Sequence, residues 1–256
     1  MKIIRPIVSW NPFLIARIVV YYTATFYLFL VSFVPELLYL WFLIGSNNVW
    51  LYIATPVILF VLYFCSCLIF AITHSSVTKL MLPAPKIGWH DRATWDGKLQ
   101  GVRLSADHIL KSMVSLLNFV PFVNQLFLFA FFLRFYGLKV GKNVYISRTA
   151  KFDSALLTLG DGSFVGQDAI LSCHVNDRNM LYIDRLTFGR NCMIGGRSVF
   201  MPGTVVSDDV TIGTNAIVTK KIFMPAGSIW VGVPARMIRS SPNWWSGRQK
   251  SLLEYL

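Results

Sequence analysis

The chain has 256 residues, 55% of them hydrophobic and only 14% charged, against roughly 25% charged in an ordinary soluble domain. With a mean hydropathy of +0.55, this excludes a disordered chain, a coiled coil and a standard water-soluble enzyme, and it requires apolar surface that faces lipid. Lys and Arg number 24 against 12 Asp and Glu, a net charge of +12, which suits anionic lipid headgroups or a phosphate-bearing ligand.

The N-terminal half is built from long apolar stretches. Ile18 to Ile44 carries one charge, Glu36, and Trp50 to Ile72 carries none. Each is long enough to cross a hydrocarbon layer of ~30 Å as a helix. The short polar turn Gly45 to Val49 joins them, so the pattern predicts a helical hairpin over 18–72. A second span coming at once argues against a cleaved signal peptide. Tyr21, Tyr22, Trp41, Trp50 and Tyr52 fall where interfacial aromatics belong. Lys2, Arg5 and Arg17 precede the hairpin, Lys79, Lys86, Arg92, Lys98, Arg103 and Lys111 come after it, and the turn has neither Lys nor Arg. The positive-inside rule therefore puts both ends of the hairpin and the linker 73–111 in the cytoplasm; the C-terminal half is expected there too, on the chemistry of its candidate site.

A third apolar segment, 112–133, closes the membrane region 1–136. Pro121 breaks it amid Asn118, Asn124 and Gln125. It is read as a kinked dip that enters and leaves by one face, with a full span as the alternative. The four cysteines, Cys65, Cys67, Cys173 and Cys192, show no paired spacing. Reduced thiols are expected rather than a zinc ribbon or a disulfide framework.

From Val140 the chain repeats with a period of six. Apolar first positions recur at Val140, Ile146 and Phe152, then after one extra residue at Leu159, Val165 and Leu171. After a longer interruption they run through Tyr182, Phe188, Ile194, Phe200, Val206, Ile212, Val218, Met224 and Trp230. Fifth positions are mostly small or aliphatic, from Val144, Ala150 and Leu156 on to Val175, Leu186 and Pro234. Gly141, Gly160, Gly166, Gly189, Gly195 and Gly213 occupy second positions, which we assign to corners of unusual backbone conformation. Three six-residue faces close a triangular coil, and about five coils stack into a parallel β-helix over 137–239, with a tail, 240–256, after it. Strands of an ordinary sandwich would show period two and hairpin turns instead. Periodicity does not set the hand of the coil.

From Val140 to Arg239 the chain resembles the hexapeptide-repeat acyltransferases. The resemblance is carried by IGGRSVFMPGTVVSDDVTIGTNAIVTK, Ile194 to Lys220, and by PAGSIWVGVPARMIR, Pro225 to Arg239, with its G-x-P-A-basic signature. It implies a left-handed β-helix assembled as a homotrimer. The segments FYGLKVGKNVYIS and LTLGDGSFVGQDAILSCHVNDRNMLYIDRLTFG are more similar still to the C-terminal membrane-associated β-helix modules of poly-lysine-synthetase-like nonribosomal peptide synthetases. Those modules join an amino acid, presented as a carrier-protein thioester, to an acceptor amine. This sequence contains no adenylation or carrier region and would be a free-standing version.

His174 is the one histidine of the repeat half and stands just before the interruption Asn176 to Leu181. Acyl transfer from a thioester needs a base for the proton of the attacking amine or hydroxyl, and an imidazole suits that task near neutral pH. The family's catalytic histidine sits at the matching place. Asn176, Asp177 and Asp184 are candidates to orient it, and Arg178 is a candidate loop anchor. Cys173 is adjacent, but neighbours on a strand point to opposite faces, which argues against a Cys-His nucleophile.

The resemblance also implies donor contacts. Gly195 and Gly196 fall where backbone amides meet the thioester oxyanion, Thr214, Thr219 and Lys220 along the pantetheine and adenine path, and Arg236 and Arg239 near coenzyme A phosphates. The donor is a coenzyme A thioester or carrier-protein phosphopantetheine; with a carrier protein, Lys220 and Arg236 would face that protein. No metal is expected: a zinc-dependent β-helix enzyme needs three histidine ligands, and this solenoid has one. No nucleic-acid partner is expected either, since the repeat half lacks an interleaved basic and aromatic stripe. The composite expectation is a membrane-anchored acyl or aminoacyl transferase. Its alternatives are a coenzyme A-dependent sugar O-acetyltransferase and a non-catalytic trimeric scaffold at the membrane.

Overall fold

A computed structural model describes residues 11–108, 111–112, 128–147 and 149–240. They fall into two compact units, one made of the described residues within 1–85 and 90–136, the other of those within 86–89 and 137–240.

The first unit opens with helix α1 (Pro12–Ser32), started by the Asn11 side chain, which accepts a hydrogen bond from the Leu14 amide, with Pro12 in the first turn. Phe33 ends it, and α2 (Val34–Ile44) restarts at once with Pro35 in its first turn. The first expected span is thus two helices. Helix α3 (Val49–Met81) is capped by Asn48 and runs nine residues past Ile72, where the apolar stretch ends. The Thr73 and Ser76 hydroxyls there donate to carbonyls one turn back, at 2.8 Å each, which lets polar residues continue the helix. Pro12–Ile44 and Val49–Met81 are long and apolar enough to cross a membrane. They expose large apolar side chains, among them Trp41 and Trp50.

Tyr21, expected at an interface, is instead only 2% exposed. Its hydroxyl lies 3.1 Å from His74 Nε2 and 3.2 Å from Thr78 Oγ1, and His74 Nδ1 lies 2.5 Å from the Tyr136 hydroxyl. A helix 33 residues long carries its polar positions inward here, and the phenol joins them to satisfy buried donors and acceptors. Among the described residues, strand β1 (Gly88–Asp91), helix α4 (Trp95–Leu104), helix α5 (Leu128–Leu133) and a 3₁₀ turn (Arg134–Tyr136) follow before the repeat. Of the segment 112–133, expected to dip or span, residues 113–127 lie outside the described residues, as does the tail beyond 240.

The second unit coils. Strands β2 (Lys139–Val140), β3 (Tyr145–Ile146) and β4 (Lys151–Phe152) make one turn; β5 (Leu157–Leu159), β6 (Phe164–Val165) and β7 (Ile170–Leu171) the next. A hairpin, β8 (His174–Asp177) and β9 (Met180–Ile183), then leaves the coil. Coiling resumes with β10 (Leu186–Phe188), β11 (Met193–Ile194) and β12 (Val199–Phe200), then β13 (Val205–Val206), β14 (Thr211–Ile212) and β15 (Ile217–Val218), then β16 (Phe223–Met224) and β17 (Ser228–Val231). Strand β18 (Arg236–Ser240) turns back antiparallel on β17.

Three parallel sheets result: β2-β5-β10-β13-β16, β3-β6-β11-β14-β17 and β4-β7-β12-β15. Their register stacks the first positions of successive coils, as in Phe152, Leu171, Phe200 and Val218. From Phe152 to Met224 these first positions are buried, so the interior is one continuous apolar column. Buried fifth-position hydroxyls bond within their own corner: Ser198 Oγ donates to the Gly195 carbonyl at 2.7 Å and Thr204 Oγ1 to the Met201 carbonyl at 2.9 Å.

Three details of the repeat differ from expectation. The second-position glycines do not hold the left-handed corners. Positive φ falls on fourth positions: Asn143, Gly162, Asp168, Asn191, Arg197, Gly203, Asp209, Asn215, Lys221 and Gly227. The second-position glycines serve close approach instead. A Cβ on Gly160 would stand 2.3 Å from the Gly189 carbonyl oxygen, and one on Gly195 2.6 Å from the Gly213 carbonyl carbon. Next, Leu157 rather than Leu156 is buried, because the extra residue is absorbed by a single 3₁₀ turn, Ser154–Leu156. Finally, the interruption is regular. His174↔Ile183, Val175↔Tyr182, Asn176↔Leu181 and Asp177↔Met180 pair antiparallel, so Val175 and Tyr182 belong to the hairpin although Tyr182 is in phase with the coils.

Candidate active site

Asp153 immediately precedes the 3₁₀ turn at the frame slip, and that turn places its carboxylate beneath the root of the hairpin one coil on. Asp153 Oδ2 accepts from the Cys173 amide at 2.8 Å and lies 2.7 Å from His174 Nδ1. Ser172 Oγ donates to the His174 carbonyl at 2.6 Å. The Asp153 side chain is 9% exposed and the His174 side chain 33%. With Nδ1–H donating to the carboxylate, Nε2 is left as the basic nitrogen. The hydrogen bond to Asp153, reinforced by its charge and opposed by burial, raises the imidazole above the ordinary histidine value.

The orienting carboxylate is therefore Asp153, not Asn176, Asp177 or Asp184. Asn176 and Asp177 are exposed at the far end of β8. Asp177 Oδ2 lies 4.0 Å from Lys220 Nζ. Asp184 accepts a 2.5 Å hydrogen bond from the Tyr182 hydroxyl. Arg178 takes positive φ at the hairpin tip. Cys173 is buried, with its sulfur 3.8 Å from the Asp153 carbonyl. The one sequence signal for Asp153 is the extra residue in the repeat, since an acidic side chain at a slipped corner has no place in the apolar frame.

The residues matched to donor positions divide between two corners. Gly195, Gly196 and Thr214 occupy the corners leading into β12 and β15; Thr219 and Lys220 come after β15, in the same column of corners as His174, which comes after β7. His174 and the Gly196 corner thus lie at opposite ends of the strands of one four-stranded sheet, β4-β7-β12-β15. The Gly195 amide donates to the Ile212 carbonyl at 2.9 Å as part of the ladder. Arg236 and Arg239 are exposed on β18, paired with Val231 and Ile229. Among the described residues, no group of three or more His, Cys, Asp and Glu is placed to hold a metal ion.

Residues 185–220 match the family described as the hexapeptide repeat of succinyl-transferase. The chain is 25% identical over 126 residues to delta-poly-L-ornithine synthetase of Acinetobacter baumannii, covering 49% of this chain and 10% of that protein. It is 30% identical over 111 residues to galactoside O-acetyltransferase of Escherichia coli, covering 40% of this chain and 54% of the relative. The chain thus spans about half the length of the second relative and a tenth of the first. A solved maltose O-acetyltransferase from Clostridium difficile is 20% identical with a TM-score of 0.39, over 54% of this chain and 87% of that one. The chain therefore carries the hexapeptide repeat over 185–220 and is similar over part of its length to delta-poly-L-ornithine synthetase and galactoside O-acetyltransferase.

Proposed function

We propose that this protein is a membrane-anchored acyl or aminoacyl transferase in which His174 is the general base. The hydrogen bond between His174 Nδ1 and Asp153 Oδ2 carries the reading, because it leaves Nε2 free to accept a proton. The acceptor's amine or hydroxyl loses its proton to Nε2 as it attacks the thioester carbonyl. Negative charge gathers on the carbonyl oxygen, where the Gly196 amide offers a donor. Collapse breaks the C–S bond, and the leaving thiolate takes the proton back from the imidazolium.

The donor is a coenzyme A thioester or a carrier-bound pantetheine. Gly195 shapes the oxyanion corner, Thr214 and Thr219 line the pantetheine path, and Lys220, Arg236 and Arg239 meet phosphates or a carrier protein. Asn176 shares the imidazole's face of the hairpin and is assigned to the acceptor side; Asp177 is on the opposite face. The coil is left-handed and the assembly a homotrimer. Two features support the trimer: the base and the Gly196 corner lie at opposite strand ends of one sheet, and Tyr145, Phe164 and Met193 make an exposed apolar ladder along β3, β6 and β11. The helices over 12–44 and 49–81 anchor the enzyme, with the solenoid on the cytoplasmic side.

A second reading, a coenzyme A-dependent sugar O-acetyltransferase, is favoured by the similarity to galactoside O-acetyltransferase. Thiol release from acetyl-coenzyme A by the purified full chain, with a galactoside or ornithine as acceptor, tests both readings. Turnover with either acceptor, lost in His174→Ala, supports transfer, and the acceptor that works selects between the two. No release above the His174→Ala background with any donor thioester rejects transfer and leaves the scaffold.

A further inference from the structure

The hairpin that carries His174 has strands of only four residues, and a two-stranded ribbon of that size is marginal in water by itself. It is not by itself here. Strand β1, from the linker after the second candidate span, adds to the β9 edge and makes a three-stranded sheet in the order β1-β9-β8.

Alternation and pairing assign the two faces of the hairpin. Val175, Asp177, Met180 and Tyr182 share one face; His174, Asn176, Leu181 and Ile183 share the other. Trp89 of β1 lies on the Tyr182 face, with ring centroids 4.9 Å apart. Lys220 Nζ, from the solenoid corner after β15, lies 5.1 Å from the Trp89 ring centroid and 4.0 Å from Asp177 Oδ2. Lys221 Nζ lies 5.2 Å from the Tyr182 ring centroid. The indole is thus the middle of a clasp: Tyr182 near the hairpin's foot, Asp177 near its tip and the 220–221 corner of the solenoid all meet around it. A pocket of about 410 Å³ lined by Trp89, Asp177, Arg178 and Met180 lies around these same residues, on the face away from the imidazole. It is therefore not the seat of the group that His174 deprotonates in the same protomer.

We propose that Trp89 is a positioning residue for His174, holding the hairpin in the register that sets the imidazole on Asp153. It touches neither the imidazole nor Asp153. It acts through Tyr182, whose neighbour Ile183 is the pairing partner of His174. This role rests on the general-base reading for its kinetic consequence but not for its structural one.

The test uses the full chain in detergent with Trp89→Ala and Trp89→Phe. The ring deletion is expected to lower kcat at least about tenfold, as misplacement of a catalytic group does, with the donor KM within twofold of wild type. Trp89→Phe keeps a ring on Tyr182 and is expected to retain more than half of kcat. Independently of activity, the Trp89→Ala amides of Leu181 to Ile183 should exchange at least about tenfold faster, and the His174 Nδ1 proton resonance should lose its hydrogen-bonded shift. Trp89→Leu, which keeps bulk without a ring, takes the place of Trp89→Ala if that variant does not fold. Unchanged exchange and an unchanged His174 resonance in the ring-deleted chain overturn the inference, as does an equal rise in donor KM and fall in kcat. If the wild-type chain transfers no acyl group, the general-base reading fails, and the exchange and resonance measurements still decide the role of Trp89.

Discussion

Asp153 and His174 stand 21 positions apart in the chain and one coil apart in the solenoid, yet they share a 2.7 Å hydrogen bond. Under the general-base reading, His174→Ala is expected to lower kcat by about 10²–10⁴-fold, the usual contribution of a positioned base. Asp153→Asn should lower it less, because Nε2 remains while its tautomer is no longer enforced. Steady-state kinetics on the two variants checks the order.

The same pair sets a pH dependence. A base raised above roughly 6.5 is protonated over more of the neutral range, so the acid limb of the rate profile should lie above the ordinary histidine value and move down in Asp153→Asn. Stability has the opposite sense. A raised folded value means that the pair stabilises most below the unfolded value and that this contribution is lost as pH rises through the folded one. Asp153→Asn should therefore destabilise more at pH 5.5 than at pH 8.5, measured by denaturant unfolding.

Glycines separate by surroundings. Gly160→Ala sets a Cβ against the backbone of the next coil and should cost about 1–3 kcal/mol as overpacking. Gly101→Ala, in α4, meets nothing within 4 Å and should stabilise by about 0.5–1 kcal/mol through helix propensity. Paired thermal melts distinguish the two signs.

At the corners the expectation reverses. Asn215 holds φ at +60°, so Asn215→Gly should be neutral or slightly stabilising, whereas Asn215→Val should cost about 1–2 kcal/mol. The same melts measure it.

In the helical unit, His74 is bonded by Tyr21, Thr25 and Tyr136. His74→Ala leaves the buried Tyr136 hydroxyl without its histidine partner, at about 1–3 kcal/mol, while the Tyr21 hydroxyl keeps Thr78 and the Thr25 hydroxyl keeps the Tyr21 carbonyl. A lowered melting temperature in detergent, with the acyl-donor KM unchanged, is the expected result.

The solenoid is legible in the sequence because its code is one-dimensional. Each first position faces the axis, so a period of six in apolar residues alone predicts the coils, their number and the site of the excursion. The demands of the corners are harder to read. Glycine at second positions suggests unusual φ, but the left-handed corners fall at fourth positions, held by Asn, Asp, Arg and Lys as well as by Gly162, Gly203 and Gly227; glycine at second positions answers a packing distance that only stacking reveals. His174 stands out by position. Asp153 is marked only by the slipped frame, because its partner comes from the neighbouring coil and its surroundings otherwise read as a solvated turn. Tyr21 is misplaced for the same reason: a phenol near the end of an apolar helix looks interfacial until a second helix supplies His74.

The arrangement around the four-stranded sheet bears on mixtures of defective chains. With imidazole and Gly196 corner at opposite ends of its strands, a protomer that has lost the base still offers an intact corner, and one whose corner is blocked still offers the base. Under the homotrimer reading, hybrid assemblies of His174→Ala with Gly196→Val chains are therefore expected to regain part of the turnover that each lacks by itself, through intragenic complementation.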